Sequence, residues 1–230
     1  IVAKQSTEET MDYIKKTIKE NLSNKLFFND GFSYSVNEND FFYYEDQFGG
    51  LKLSKPNVLG QFQLENVSTA IATLRTLNLS IKDEHIKKGI LKIYSLARLQ
   101  EIKTGKLKKL VKNNKLLIDG SHNENGSYAL NKYLQSLDCK KHVIIGMMAN
   151  KEHEKYLSYF KDISSITTID LKTQPNSISG KKLKDKCKNI PNVQYQPSIE
   201  QAINSIDLKE GDLLLITGSL YLAGEVLNLN

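Results

Sequence analysis

The stretch "LLIDGSHNENGSYAL", Leu116 to Leu130, decides the fold. It runs an apolar strand into an aspartate, a glycine and a Ser-His-Asn cluster, and then into a helical pattern. A strand ending in a tight polar turn and followed at once by a helix is half of a β–α unit. The same texture recurs downstream: "HVIIGM" precedes "EHEKYLSYF", "SITTIDL" precedes "SGKKLKDKCK", a short "VQYQ" precedes "SIEQAINSI", and "DLLLITG" precedes "LYLAGEVLNL". Such alternation, with strands apolar on both faces, predicts an α/β fold built on a largely parallel, doubly wound sheet. Ligands of these sheets collect at the carboxyl ends of strands. Three strands end in polar or glycine-rich sequence, "IDGSHN", "IIGMMANKE" and "ITGSL", and all three are expected to open on one rim.

On physical grounds Asp119 ends its strand, where a carboxylate accepts hydrogen bonds from a ribose or a cation-bound water. Gly120 permits a sharp turn, and Ser121, His122 and Asn123 face whatever docks at the next helix N-terminus. That terminus offers free N–H donors and the positive end of a dipole, a natural place for an anion. The plainer alternative is that Asp119 caps the helix and His122 is a surface loop residue.

The composition is that of an ordinary globular chain: 230 residues, 40% hydrophobic and 25% charged, with room for one large domain or two small ones. No stretch approaches the roughly 18 uninterrupted apolar residues of a spanning helix, and no charged-then-apolar leader opens the chain, so a cytoplasmic location is expected. Cys139 and Cys187 match no metal or redox spacing. The net charge of +6 comes from lysines dispersed among acids and asparagines, a solvated surface rather than a nucleic-acid stripe. Of 32 basic residues only Arg75 and Arg98 are arginine. Each invites the question of what needs a planar, multi-donor fork.

Upstream the texture differs. "IVAK" has the look of a buried strand without lead-in, and the chain is expected to begin inside a larger protein. "STEETMDYIKKTIKENL" opens with a capping-box pattern, Ser6 or Thr7 with Glu9 or Thr10. It then sets Met11, Ile14, Ile18 and Leu22 at helical spacing. From Lys25 to Leu53 the aromatic runs "KLFF", "FSYSV", "FFYYE" and "LKL" predict antiparallel strands or hairpins. Aromatics interleaved with lysine also suit a single-stranded nucleic-acid platform, but half-buried sheet faces use the same residues. "NVLGQFQLENVSTAIATLRTL" predicts a helix from Leu64 with Asn66 in its first turn, and "KDEHIKKGILKI" a second, ending near Tyr94.

The blocks "ARLQ" (Ala97–Gln100), "LLIDGSHNENGSYAL", "IIGMMANKE" (Ile144–Glu152) and "LLLITGSLYLAGEVL" (Leu213–Leu227) resemble, in order and spacing, the C-terminal domain of the folylpolyglutamate synthase/dihydrofolate synthase family of the Mur ligase superfamily. "LGQFQLENVSTAIATL" resembles the helix closing that family's central ATPase domain. The resemblance implies a Rossmann-like C-terminal glutamate-ligase domain at 97–230, and at 1–96 the C-terminal end of an α/β P-loop-type ATPase domain with antiparallel strands. It implies ATP contacts at Asn66, Arg98 and Asp119, and places His122 near the reacting phosphate or the incoming glutamate. Phe62, Ser121 and "ANKE" depart from the family's histidine, alanine and aspartate-lysine-aspartate.

The implied reaction is ATP- and Mg²⁺-dependent amide formation. Its partners are ATP, L-glutamate and a folate or dihydropteroate, with neither nucleic acid nor membrane, in a monomeric parent. No G-x-x-x-x-G-K-[ST] phosphate loop occurs; "TGKLKKL" and "SGKKLKD" lack the first glycine and the hydroxyl. The phosphate loop, magnesium ligands and pteroate-binding residues are therefore expected in an N-terminal ATPase half, and the chain alone is expected to be inactive. Another Mur-type amino-acid ligase, or a non-catalytic nucleotide-binding or interaction module, remains an alternative.

Overall fold

A computed structural model describes residues 1–18, 25–38, 41–77, 79–187, 190 and 192–230. It divides into two compact units, Ile1–Tyr94 and Ser95–Asn230.

In the first unit, helix α1 (Glu8–Thr17) is capped by Thr7, whose side chain accepts from the Thr10 N–H. Leu22, expected on the same apolar stripe, lies outside the described residues. "IVAK" forms no strand: Val2 makes one isolated bridge to Phe27. Strands β1 (Phe27–Phe28), β2 (Gly31–Val36), β3 (Phe41–Asp46) and β4 (Gly49–Ser54) form a sheet in chain order. The last three pair antiparallel, as the aromatic runs predict. Period-2 alternation buries Phe32, Phe42, Tyr44, Leu51 and Leu53 on one face. They pack with Leu64, Val67 and Ile71 of α2 (Gln61–Thr76) and with Ile86 and Ile90 of α3 (Asp83–Ile90). The aromatic density is thus largely core.

The second unit holds β5 (Gln100–Glu101), α4 (Lys106–Val111), β6 (Lys115–Ile118), α5 (Glu124–Gln135), β7 (Lys141–Ile145), α6 (His153–Ser158), β8 (Ser165–Ile169), α7 (Gly180–Asp185), β9 (Val193–Gln196), α8 (Ile199–Ser205), β10 (Leu213–Thr217) and α9 (Leu220–Leu229). Its sheet runs β5-β6-β10-β7-β8-β9, all parallel except the edge strand β5. Leu116, Ile118, Ile144, Leu214 and Ile216 pack on one face against Leu107 of α4, Ile203 of α8 and Leu222 and Val226 of α9. On the other face, Thr168 donates to the Gly180 carbonyl of α7 and Thr217 meets the Tyr156 hydroxyl of α6. Both faces are therefore covered, as their unbroken apolar runs require.

The expected β–α alternation is present, with two additions. Short β5 and α4 carry too little periodicity to be read in advance. Asn230 supplies what α4 lacks locally: its Oδ1 accepts from the N–H groups of Leu107 and Lys108, and its amide donates to the Thr104 carbonyl. A Cβ on Gly105 would lie 2.2 Å from the Asn230 side chain, so glycine there leaves room for this cap.

Candidate functional site

Strand register brings the three expected loops together. Ile118 pairs with Ile216, which pairs with Ile144, so β6, β10 and β7 are neighbours ending at one level. From that level emerge Asp119–Asn123, Gly146–Asn150 and Gly218–Ser219. The chain passes from β6 to β7 and later returns to lay β10 between them, the crevice-forming reversal of doubly wound sheets.

Asp119 is 3% exposed and turned back into the protein. Its Oδ1 accepts from the Ser121 N–H and its Oδ2 from the Leu99 N–H, each at 2.8 Å. Burial pushes its carboxyl above the usual carboxylate range, opposed by those two N–H groups, the Ser121 side chain and the charge of Arg98. Asp119 does not cap α5. That position falls to Asn123, next to the helix, whose side chain accepts from the Gly126 N–H. Gly120 donates its N–H to the Ala97 carbonyl at 2.7 Å, and a Cβ there would come 2.2 Å from Leu220 Cδ2. The "DG" and "SLYL" blocks thus meet at a glycine.

His122 is half-buried, with Nδ1 at 2.9 Å from the Gly120 carbonyl. A carbonyl only accepts, so Nδ1 carries the proton, and in the neutral ring Nε2 is left as an acceptor. Arg98 is exposed, and no hydrogen bond or ion pair joins it to another described residue. Its neighbours Ala97 and Leu99 are both buried and both left-handed, with φ of 53° and 48°. Arg98, Asp119 and His122 therefore share one corner of the second unit. Asn66 belongs to the first unit. It is exposed on α2 and donates to Gln63 Oε1 at 3.2 Å. The helix begins at Gln61 rather than Leu64 because Gly60, at φ 87°, makes the N-terminal turn, and Asn66 falls in the second turn.

The rim also contains residues that spacing alone did not flag. Ser121 Oγ lies 3.1 Å from the Tyr156 hydroxyl and 3.3 Å from Thr217 Oγ1, and the latter two are 2.9 Å apart. This buried ring of hydroxyls ties the β6 loop, α6 and the end of β10 together. Ser121 is one of its corners. After β7, His153 bonds the Met148 carbonyl through Nε2, and Ala149 and Ile178 exchange main-chain bonds with Asn176 and Met147. Glu152 pairs with Lys155 at 2.7 Å on the surface. Gly218, at φ 107°, lets β10 turn where a Cβ would press within 2.8 Å of the Gly146 carbonyl. Ser219 then caps α9.

This corner can do three things: hold an anion on the Arg98 guanidinium, accept a proton or hydrogen bond at His122 Nε2, and maintain both on a rigid backbone. Among the described residues no three of His, Cys, Asp and Glu gather as a metal site, and no helix is long and apolar enough to cross a membrane.

A family model described as Mur ligase, glutamate ligase domain, matches residues 105–220. The chain is 30% identical over 185 residues to UDP-N-acetylmuramoyl-L-alanyl-D-glutamate--2,6-diaminopimelate ligase of Buchnera aphidicola, covering 74% of this chain and 34% of that protein. It is 24% identical over 191 residues to folylpolyglutamate synthase of Lacticaseibacillus casei, covering 80% of this chain and 42% of that protein. Mycobacterium tuberculosis folylpolyglutamate synthase, solved with ADP, matches with a TM-score of 0.81 at 15% identity over 99% of this chain and 53% of its own. The last likeness shows the fold, and the chain spans less than half the length of either curated relative. With half its residues matched by that model, the chain belongs to the Mur ligase family and carries its glutamate ligase domain.

Proposed function

We propose that this chain is the C-terminal part of an ATP-dependent carboxylate–amine ligase that joins L-glutamate to a folate or a dihydropteroate. The observation carrying this reading is the corner itself: an exposed arginine, which no hydrogen bond or ion pair joins to another described residue, on a clamped loop beside the Asp-Gly-Ser-His-Asn turn, at the reversal point of the sheet. The 80% coverage by a folylpolyglutamate synthase supports the substrate class. In the reaction the acceptor carboxylate takes the γ-phosphoryl group of ATP, releasing ADP and forming an acyl phosphate. The glutamate amine attacks the acyl carbon, phosphate leaves, and the amine loses a proton. Phosphoryl transfer depends on positioning and on charge stabilisation.

In this reading Asn66, from the ATPase-domain end at 1–96, and Arg98 with Asp119, from the ligase domain at 97–230, serve ATP, while His122 Nε2 faces the reacting phosphate or the incoming amine. A divalent cation would neutralise phosphoryl charge, but these residues do not fit a metal site, so its ligands are assigned to an N-terminal ATPase half together with the phosphate loop. The parent is assigned to the cytoplasm as a monomer, and the present chain is expected not to ligate alone.

The test is ATP-dependent incorporation of labelled glutamate into tetrahydrofolate and dihydropteroate by the product of the full reading frame. The 30% identity to the diaminopimelate ligase supports a second reading, a peptidoglycan-type amino-acid ligase. Incorporation of diaminopimelate into a UDP-linked muramoyl dipeptide, with none of glutamate into either pterin, would establish it in place of the first. Glutamate ligation by residues 1–230 alone would overturn the division of labour.

A further inference from the structure

Three polar side chains meet at the end of the second unit's sheet opposite the rim. His142, near the start of β7, pairs in register with Ser165, the first residue of β8, so the two side chains stand beside each other on one face. Asp212 directly precedes β10, whose Leu213 pairs with Lys141, and this brings its carboxylate to the other side of the imidazole. Nδ1 of His142 lies 2.7 Å from Ser165 Oγ, and Nε2 lies 3.3 Å from Asp212 Oδ2. The Lys209 N–H donates to the same carboxylate oxygen at 2.8 Å and fixes its direction. His142 and Asp212 are 8% and 5% exposed, whereas Ser165 is half-buried, so the hydroxyl is the member nearest solvent.

The chemistry of the groups sets the direction of both bonds. An ionised carboxylate only accepts, so Nε2 carries the proton of the neutral ring, Nδ1 is left as an acceptor, and the 2.7 Å bond runs from the Ser165 hydroxyl to Nδ1. Among the described residues Ser165 Oγ has no other hydrogen-bond partner. Hydroxyl, imidazole and carboxylate therefore stand in the order of nucleophile, base and orienter, with the two ring nitrogens interchanged relative to the usual serine triad.

We propose that Ser165 is a nucleophile activated by His142, with Asp212 as the positioning residue, and that it accepts acyl groups from esters. Ser165 Oγ attacks the ester carbonyl carbon and its proton passes to His142 Nδ1. The tetrahedral adduct then collapses, the carbon–oxygen bond to the alcohol breaks, and the departing alcohol takes the proton back from Nδ1. Water repeats the sequence on the acyl-serine and releases the acid. Ligands of doubly wound sheets gather at the opposite end of the strands, and nothing in this assignment draws on the ligase reading.

The test is reaction of residues 1–230 with a fluorophosphonate, which forms a phosphorus–oxygen bond to an activated serine and loses fluoride, followed by peptide mass mapping. An adduct on Ser165 is expected, absent in Ser165→Ala and formed about a hundredfold more slowly in His142→Gln and Asp212→Asn. Nitrogen NMR should show His142 protonated at Nε2 in the unaltered chain and at Nδ1 in Asp212→Asn, whose amide can donate to Nε2. No adduct on Ser165, or one that forms at the same rate without the imidazole, would overturn the proposal and leave the cluster a clasp between strands. If the variants do not fold, the unaltered chain is compared with itself in urea. Labelling of Ser165 confined to the folded state supports the activated hydroxyl, and equal labelling in both states refutes it.

Discussion

Arg75 Nε lies 3.4 Å from Asp46 Oδ2 inside the first unit, the carboxylate side chain fully buried and the arginine nearly so. The guanidinium also donates to the Gly49 carbonyl at 3.3 Å and lies over the Tyr44 and Phe48 rings. The fork of one of the two arginines is thus spent on architecture, since it closes the β3–β4 hairpin against α2. Arg75→Ala leaves Asp46 buried without its counter-charge, and a loss of about 3–5 kcal/mol is expected. Urea unfolding of this chain checks it, and Arg75→Lys should recover only part of the loss, because an ammonium cannot reproduce the fork.

The raised carboxyl of Asp119 makes stability depend on pH with a definite sign. Unfolded, it ionises near the ordinary value of about 3.9; folded, it keeps its proton to a higher pH. Its contribution is fully present below the unfolded value and is lost as pH rises through the folded value. The stability of the unaltered chain minus that of Asp119→Asn, measured by denaturant titration at successively higher pH, should therefore fall as pH rises above the ordinary carboxylate value. A difference that rises with pH would contradict the burial argument.

Two glycines of the rim should differ in tolerance. Gly218→Ala meets a main-chain carbonyl and an unfavourable positive φ together, so a cost of about 2–4 kcal/mol is expected. Gly120→Ala meets the end of the Leu220 side chain, which is 48% exposed and free to turn away. Its cost should be the smaller of the two in paired thermal unfolding experiments.

Asn230→Ala removes the cap of α4 without disturbing the core. A loss of about 1 kcal/mol is expected, seen as a lower urea midpoint at an unchanged slope. Deprotection should be concentrated at the Leu107 and Lys108 amides.

The architecture of the second unit was legible because its signal is local. Runs such as Leu116–Ile118 and Leu213–Ile216 are apolar without alternation, and each is followed by a glycine or cap residue and a helix. The convergence of three loops followed from that pattern. The working geometry of Asp119 did not follow, because its partner Leu99 lies 20 residues upstream in a turn whose left-handed residues are not glycines. The hydroxyl ring of Ser121, Tyr156 and Thr217 was hidden for a similar reason, since 96 positions separate its ends. In the first unit the single bridge at Val2 shows the limit of reading a strand from four residues, where pairing partners rather than propensity decide.

The place of β10 sets an order of events. It follows β6 to β9 in the sequence, yet among the described residues it alone joins β6 to β7, so until residues 213–217 are available the sheet consists of two ladders with nothing between them. During synthesis at about 5–20 residues per second, β6 and β7 must wait some seconds, their inner edges unpaired, for the strand that separates them. Assembly of this unit is therefore a late, long-range event, exposed to chaperones and to mispairing until its end, and a lesion in Leu213–Thr217 should abolish the rim altogether rather than loosen one side.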